Sequence, residues 1–190
     1  MTDANNILAK ISRLFDDHGN DWYMGEPVTM AEHMLQSAFF AQQSGADDEL
    51  IIAALLHDIG HYTSEYAEDC LQQGIDNEHE DSAADFLKTH FSKRVLDAIR
   101  LHVASKRYLC AIKPEYYDVL SEASKESLAV QGGPMNSNEV TQFEAEPFHQ
   151  DAIKVRYWDD AGKQDSLTVP DLAYYIPMMQ KLLLQPAADN

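Results

Sequence analysis

The sequence predicts an all-α protein, and three observations support this fold class. Apolar residues recur at helical spacing through most of the chain, as Ile7, Leu8, Ile11 and Phe15 do near its start. Segments with the alternating pattern of strands are almost absent. No internal repeat, low-complexity tract or linker divides the 190 residues, a length that suits one domain. We therefore expect a single packed helical domain over residues 1–190 with short connections.

The predicted elements follow from local signals along the chain. Thr29-Met-Ala-Glu32 is a capping box that starts a helix carrying His33, and Ser92 caps a later helix that reaches His102 and Lys106. In the first half of the chain we predict a helix over Ala4–Asp17, a loop over Asp21–Val28, helices ending near Ser44 and at Asp58, and an irregular stretch over Tyr62–Asp76. Further helices begin at Asn77 and after Ser92, and two short helices follow over Pro114–Leu120 and Ser121–Ala129. The last two predicted helices cover Glu139–Arg156, with a break near Pro147, and Asp171–Leu184.

The stretch Ala-Ala-Leu-Leu-His-Asp-Ile-Gly-His-Tyr, residues 53–62, is the centre of the pattern. Its apolar run ends in His57 and Asp58, and we expect Gly60 to stop the helix in the left-handed conformation. A neutral imidazole and a carboxylate at the end of a buried helix are typical ligands of a divalent metal, and Asp58 could hold one metal or bridge two. As an isolated dipeptide, the pair would fit a surface contact at a helix end better.

The pair is not isolated, because further histidines and one aspartate lie at similar positions. Five candidate ligands fall at or near ends of predicted helices and the sixth follows a helix, so their side chains can converge in a bundle. Imidazole and carboxylate groups without thiolate favour iron, manganese or a similar ion over a structural zinc. The candidate ligands are His33, His57, Asp58, His79, His102 and Asp159.

Composition limits the partners. The net charge of −18, from 14 basic and 32 acidic residues, argues against nucleic-acid binding through a broad basic surface. A small phosphate-bearing substrate remains possible, because a Lys and an Arg inside a pocket are less screened than surface charges. No apolar stretch is long enough to span a membrane, and the first residues do not resemble a signal peptide. Two cysteines, Cys70 and Cys110, form no framework, so we expect a cytoplasmic protein, and the oligomeric state is not predicted.

The order of these ligands resembles the HD-domain superfamily, whose signature is a His, a His-Asp pair and a later Asp. His33, His57-Asp58 and Asp159 match this signature, and His79 and His102 match the subset with two metals. The resemblance implies an HD-domain helical bundle, with a metal-binding core over about residues 29–160 and a C-terminal helix over residues 171–184. By itself it is compatible with two chemistries, since most members are phosphohydrolases and a minority are mixed-valence diiron oxygenases.

Longer stretches resemble the HD-domain phosphonate oxygenases, which cleave the carbon–phosphorus bond of 2-amino-1-hydroxyethylphosphonate. The stretches include His102-Val-Ala-Ser-Lys-Arg-Tyr, Gln131-Gly-Gly-Pro-Met and Arg156-Tyr-Trp-Asp159. This resemblance implies an Fe(II)/Fe(III) pair with dioxygen as co-substrate. His33, His57, Asp58 and Asp159 would bind one iron, and Asp58 would bridge to a second iron completed by His79 and His102. The small-molecule substrate would yield phosphate and glycine, or glycine betaine if its amine is trimethylated.

Further residues are expected to hold the substrate. His61 lies four residues beyond His57, and Lys106 lies four beyond His102, so on helix geometry both would flank the metals and could bind a phosphonate. The resemblance adds Ser124 and Arg156, although Ser124 could merely cap or pack in a short helix and Arg156 could form a surface salt bridge.

The loop before the first ligand is expected to contribute catalytic and substrate-binding residues. Glu26 could receive a substrate ammonium group, and Trp22 or Tyr23 could face a cation, although Trp22 could equally pack on the core. The resemblance implies that Tyr23 can occupy an open iron position until substrate displaces it. Two other functions remain open: a metal-dependent HD-domain phosphohydrolase, which would not need dioxygen, and a binding scaffold without activity.

Overall fold

The computed structural model describes residues 3–23, 25–63 and 73–184, and in these ranges the regular structure is helical. One isolated bridge between Trp22 and Thr29 is its sole strand-like pairing there. The all-α prediction is confirmed, while residues 64–72 of the predicted irregular stretch and Cys70 lie outside the described residues. The helices are α1 (Asp3–His18), α2 (Met30–Gln43), α3 (Asp48–Leu56), α4 (Gly60–Thr63), α5 (His79–Leu87), α6 (Lys93–Arg100), α7 (His102–Ile112), α8 (Pro114–Val119), α9 (Glu122–Val130), α10 (Ser137–Ala145), α11 (His149–Ala161) and α12 (Leu172–Leu182).

Helix α3 forms the centre of the domain. Every residue from Leu50 to Leu56 is buried, as expected for a helix that is apolar on all sides. Helices α2, α6, α11 and α12 pack around it, and the Asp47 side chain caps its first turn by accepting from the Leu50 N–H at 3.1 Å. The last residue of α3 therefore leads His57 and Asp58 into the interior, where residues of four other helices contact them.

The capping box at the start of α2 is confirmed. The Thr29 hydroxyl accepts from the Glu32 N–H at 3.3 Å, and the Glu32 carboxylate accepts from the Thr29 N–H at 2.7 Å. This cap fixes where α2 begins, and it places His33 on the buried face one turn into the helix.

Two predicted helix boundaries are wrong. The helix expected from Ser92 to Lys106 is divided at Leu101, whose φ of −90° and ψ of 1° interrupt it and make His102 the first residue of α7. No Gly or Pro marks this break, so the local sequence contains no signal for it. Asp159 does not follow a helix but lies in the last turn of α11, which continues to Ala161.

Gly60 does not have the predicted left-handed conformation. It is the first residue of α4, and the glycines with positive φ lie elsewhere in the described residues. Its role comes from packing, since a Cβ atom at Gly60 would lie 1.8 Å from the carbonyl oxygen of His79. The backbones of α4 and α5 therefore meet at a distance that a side chain would prevent.

A second, smaller hydrophobic cluster joins α7, α8, α9 and α10, and includes Tyr108, Leu128 and Phe143. It holds Lys106 of α7 and Ser124 of α9 on one side of the metal-ligand residues. In the described part of the chain, no helix combines the length and apolar character needed to cross a membrane.

Candidate metal centre and adjoining pocket

The six candidate metal ligands come together at the end of α3. His33 comes from α2, His57 and Asp58 from the end of α3, and the remaining three from the starts of α5 and α7 and the last turn of α11. All six residues are buried, with at most 6 % exposure. Three groups of these residues and His61 have side-chain atoms close enough to share a metal ion: His33, His57 and Asp58; His57, His102 and Asp159; and Asp58, His61 and His79.

One half of the centre contains His33 and His57. Their Nε2 atoms are 3.1 Å apart, and His33 Nε2 lies 3.4 Å from Asp58 Oδ2 and 3.5 Å from Asp159 Oδ1. Two ligand atoms that bind one ion at about 2.1 Å and at right angles lie about 3.0 Å apart. The separations in this half are therefore close to those that a shared ion requires.

The other half contains His79 and His102. Their Nε2 atoms are 3.2 Å apart, and each lies 3.4 Å from Asp58 Oδ1. Asp58 Oδ2 is the oxygen near His33, and Oδ1 also lies 3.4 Å from His57 Nε2, so this one carboxylate contacts both halves. This arrangement could hold two metal ions with Asp58 between them.

Each histidine of the centre is oriented through its other ring nitrogen. The Nδ1–H groups of His33, His57 and His102 donate to the backbone carbonyls of Gly162 at 2.9 Å, Ala54 at 2.9 Å and Ile99 at 2.7 Å. The Nδ1–H group of His79 donates to the Asn77 side-chain oxygen at 2.8 Å. In the neutral rings these bonds leave the Nε2 lone pairs directed at the centre, as metal-binding histidines require.

Electrostatics also match metal binding. Burial lowers the pKa of His57 to about 4 and that of His79 to about 3, so both imidazoles are neutral near pH 7. Burial acts to raise the pKa of Asp58, but His57 and the neighbouring imidazoles outweigh it and hold that pKa well below its usual value. Burial likewise acts to raise the pKa of Asp159, but the positive charge of Arg156 outweighs this effect and lowers that pKa. Burial acts to lower the pKa of His102, but Asp58 outweighs it and raises that pKa. The centre thus combines neutral imidazoles at His57 and His79 with ionised carboxylates.

Two orphaned atoms support this interpretation. Asp58 Oδ2 and Asp159 Oδ1 are buried without a hydrogen-bond partner among the described residues. Leaving buried carboxylate oxygens unpaired is costly unless a cation binds them. The donor set, imidazole nitrogens and carboxylate oxygens without sulfur, suits iron or manganese. The residues therefore fit metal ions.

A pocket adjoins the His79–His102 half of the centre. Five of the six residues expected to hold substrate line it: Tyr23, His61, Lys106, Ser124 and Arg156. Glu26 lies instead in a neighbouring recess, which shares Tyr23, Ser124 and Ser127 with the main pocket. The pocket and the recess thus lie next to each other.

His61 presents a hydrogen-bond donor to this pocket. The Asn77 amide oxygen accepts from His79, so its NH2 group faces His61 and donates to His61 Nδ1 at 2.9 Å. In the neutral ring the proton of His61 is then on Nε2, a buried atom without a hydrogen-bond partner among the described residues. The His61 ring stacks on His79, with centroids 4.1 Å apart. Sequence reasoning missed Asn77, although its position two residues before a candidate ligand at a helix start was a possible signal.

Lys106 is buried on the opposite wall. Its ammonium group donates to the Ser127 hydroxyl at 2.7 Å, and its side chain is almost fully enclosed. Burial, reinforced by the nearby positive charge of Arg156, lowers the pKa of Lys106 to about 7. A bound anion would stabilise the charged form of this lysine.

Arg156 lies against the metal-ligand residues and not at the surface. Its guanidinium is 2.7 Å from Asp159 Oδ2, pairs with Asp160 and donates from Nε to the Tyr116 hydroxyl at 3.0 Å. The alternative of a surface salt bridge is wrong, because the Arg156 side chain is 4 % exposed. Its contacts orient Asp159, while another part of the residue lines the pocket.

The loop before α2 covers the centre. The Tyr23 ring stacks on His33 with centroids 4.0 Å apart, and burial together with the Asp58 charge holds the pKa of Tyr23 well above its usual value. Trp22 is 73 % exposed, so the alternative that it packs on the core is wrong. Glu26 accepts from the Ser121 hydroxyl and lies 3.2 Å from the ammonium of Lys163, a residue that no motif indicated.

The chain is similar to several known proteins. Residues 30–159 match the family model described as the HD domain. A relative from Leisingera caerulea, named [1-hydroxy-2-(trimethylamino)ethyl]phosphonate dioxygenase (glycine-betaine-forming), is 49 % identical over 178 residues, which cover 94 % of this chain and 91 % of the relative. A relative from Gimesia maris, named hydroxymethylphosphonate dioxygenase, is 44 % identical over 169 residues, which cover 88 % of this chain and 84 % of the relative.

Proposed function

The chain belongs to the HD domain family, and we propose that it is a diiron oxygenase that cleaves the carbon–phosphorus bond of a 1-hydroxyphosphonate. The proposed substrates are 2-amino-1-hydroxyethylphosphonate and its 2-trimethylammonio analogue, with phosphate and glycine or glycine betaine as products. The main support is one carboxylate, Asp58, placed between two groups of histidines beside an enclosed pocket with cationic side chains. The names of both relatives describe phosphonate dioxygenases.

The centre would hold a mixed-valence Fe(II)/Fe(III) pair, which supplies the activation of dioxygen when it is bound. His33, His57 and Asp159 would hold one iron, His79 and His102 the other, and Asp58 both. The second set has fewer protein ligands, and this would leave positions for substrate and dioxygen. Arg156 would keep Asp159 ionised and correctly oriented, because its guanidinium is 2.7 Å from that carboxylate.

The pocket residues would bind and orient the phosphonate. The N–H donor at His61 Nε2 and the ammonium of Lys106 lie on walls of the same pocket, and Ser124 adds a hydroxyl. Charge-assisted hydrogen bonds in an enclosed site are strong, and together they would place C1 of the substrate beside the metal ligands. In the overall reaction one oxygen atom of O2 enters the carboxylate and the other enters phosphate, so the balance needs no further reductant.

Tyr23 would control access to the centre. Its ring lies flat on His33 and lines the pocket, so it excludes water from the metal ligands until substrate enters. With Glu26 it also forms the side of the site that would receive a substrate cation. Both residues belong to one loop, so movement of Tyr23 and of Glu26 would be coupled.

The function is tested by phosphate release from iron-loaded protein, with and without dioxygen. The substrates are the two aminated 1-hydroxyphosphonates, hydroxymethylphosphonate and a generic phosphate ester. We expect release from at least one phosphonate with dioxygen and none without it. Oxygen-independent cleavage of the phosphate ester, without release from any phosphonate, would instead identify a metal-dependent phosphohydrolase.

Replacing Asn77 with alanine is expected to raise KM for the phosphonate by about tenfold, because His61 loses the bond that keeps its proton on Nε2. Asn77→Asp is the matched variant, since its carboxylate still accepts from His79 but cannot donate to His61. Steady-state kinetics and iron content check both. We expect Asn77→Asp to retain iron and to share the weaker binding; unchanged KM in both variants would contradict this role.

Substrate affinity is expected to decrease as pH rises through about 7. The pKa of Lys106 lies near 7, and deprotonation above it removes the charge that binds the phosphonate. The measurement is KM against pH for the wild type and for Lys106→Arg, whose guanidinium stays charged throughout. Titration of the substrate itself affects both proteins equally, so a profile that is equally steep in both would exclude Lys106 as its source.

A further inference from the structure

The recess beside the main pocket already contains a cation. The Lys163 ammonium lies 3.2 Å from Glu26 Oε1, donates to the Ser124 hydroxyl at 2.8 Å and is 5.7 Å from the centroid of the Tyr23 ring. The Lys163 and Glu26 side chains are 10 % and 9 % exposed. A carboxylate, a hydroxyl and an aromatic face are the groups that bind an ammonium ion.

The backbone of Lys163 is fixed by the metal-ligand region. The preceding residue, Gly162, accepts a hydrogen bond from His33 Nδ1, and a Cβ atom there would lie 2.5 Å from the Ser37 hydroxyl oxygen. The chain therefore passes close to α2 immediately before Lys163. This contact holds the backbone in place immediately before Lys163.

The recess lies next to the place proposed for the phosphonate. Tyr23, Ser124 and Ser127 line both cavities, and Ser127 accepts the hydrogen bond of Lys106. A two-carbon phosphonate bound at Lys106 and His61 would extend its C2 substituent toward Tyr23 and Glu26. Lys163 occupies the position in which that substituent would meet the Glu26 carboxylate.

We propose that Lys163 occupies the ammonium subsite as a built-in counter-ion of Glu26 and sets the selectivity between cationic and uncharged phosphonates. The inference rests on the proposed function. A substrate ammonium group must displace Lys163 from Glu26 or bind beside a like charge, and either event weakens its binding. A phosphonate without an amine leaves the Glu26–Lys163 pair intact.

In this proposal the Glu26–Lys163 pair determines which substrates bind, in addition to stabilising the fold. Together Lys163 and Glu26 carry no net charge, so the recess does not exclude an uncharged substituent. Removal of Lys163 would leave Glu26 buried with an unbalanced charge, which a substrate cation could neutralise. The two relatives are named for phosphonates that differ at this point, since one carries a trimethylamino group and hydroxymethylphosphonate carries no amine.

The test compares binding of the trimethylammonio substrate and of hydroxymethylphosphonate to iron-loaded protein. Calorimetry without dioxygen gives Kd without turnover, and kcat/KM with dioxygen gives the matching kinetic ratio. For Lys163→Met we expect the preference for the cationic substrate to increase about tenfold or more, because Glu26 is released from its internal partner. Lys163→Arg keeps the charge and is expected to retain the wild-type preference within about threefold.

Glu26→Gln provides the reciprocal variant. It leaves Lys163 charged and is expected to decrease the cationic preference about tenfold or more, whereas the double variant, which carries neither charge, should lie between the two single variants. Because the double variant buries no unpaired charge, it supplies the measurement if Lys163→Met does not fold.

Two outcomes would overturn the inference. Unchanged binding of both substrates in Lys163→Met would indicate a purely structural lysine, and an equal loss of binding of both would indicate a direct phosphonate contact. Failure of the proposed function is distinguishable, since the wild type itself would then release no phosphate from any phosphonate. The wild-type assay is therefore performed first.

Discussion

Asp58→Asn is expected to lower the rate of phosphate release more than about a thousandfold and to prevent binding of the full iron complement. The asparagine side chain has the same shape but lacks the negative charge and one of the two acceptor oxygens. In the wild type, Asp58 Oδ2 lies 3.4 Å from His33 and Oδ1 lies 3.4 Å from both His79 and His102. Loss of one oxygen therefore removes a ligand from one half of the centre.

The measurement combines iron content per chain, phosphate release and the iron-dependent increase in Tm. Ligands that bind the native state raise Tm, so the variant should show a smaller increase than the wild type. Asp97→Asn is a suitable control, because Asp97 is also buried but pairs with Lys93 on α6 and lies outside the ligand set. If Asp58→Asn retained two irons and wild-type turnover, the shared-carboxylate arrangement would be incorrect.

Gly60→Ala is expected to lower the free energy of unfolding by about 3 kcal/mol and to reduce iron binding. The new Cβ atom would lie 1.8 Å from the His79 carbonyl oxygen and 2.8 Å from the Ala83 backbone nitrogen. Both are backbone atoms, so no side-chain rotation can relieve the overlap. The start of α5 must move, and His79 moves with it, away from its 3.2 Å contact with His102.

Urea unfolding and iron titration check this prediction, and Gly133→Ala is the comparison. Gly133 has φ of 71° and no atom within 4 Å of the position of a Cβ. Alanine there is therefore destabilised by its backbone conformation and not by a steric clash. We expect Gly133→Ala to lose about 1 kcal/mol and to bind iron normally. Similar results for the two variants would favour the conformational role first expected for Gly60 over the packing role.

Much of the fold follows from local signals. The capping box at Thr29 and the caps at Asp47 and Ser92 lie where helices begin, and the apolar run Leu50–Leu56 forms the buried central helix. These features are predictable because a cap or a helical period depends on residues within one or two turns. The break at Leu101 has no such signal, since it depends on how α6 and α7 pack.

For the candidate ligands too, some properties follow from the sequence and others depend on the tertiary structure. Residue type and order along the chain are enough to select the six side chains, because imidazole and carboxylate groups have a defined metal chemistry. Their assignment to two halves that share Asp58 depends on distances across five elements. The orientation of each histidine depends on distant carbonyls such as that of Gly162, which no pattern in the sequence indicates.

The sequence by itself determined the helical class and the placement of His102 and Lys106 on one helix four residues apart, and it indicated the six candidate ligands. These are properties of residue chemistry and local periodicity. Tertiary structure alone decided the close approach at Gly60, the Asn77 contacts to two imidazoles, and the pairing of Lys163 with Glu26. The physical reason is that close approaches and buried ion pairs are set by how helices far apart in the chain pack together, and this packing leaves no local pattern in the sequence.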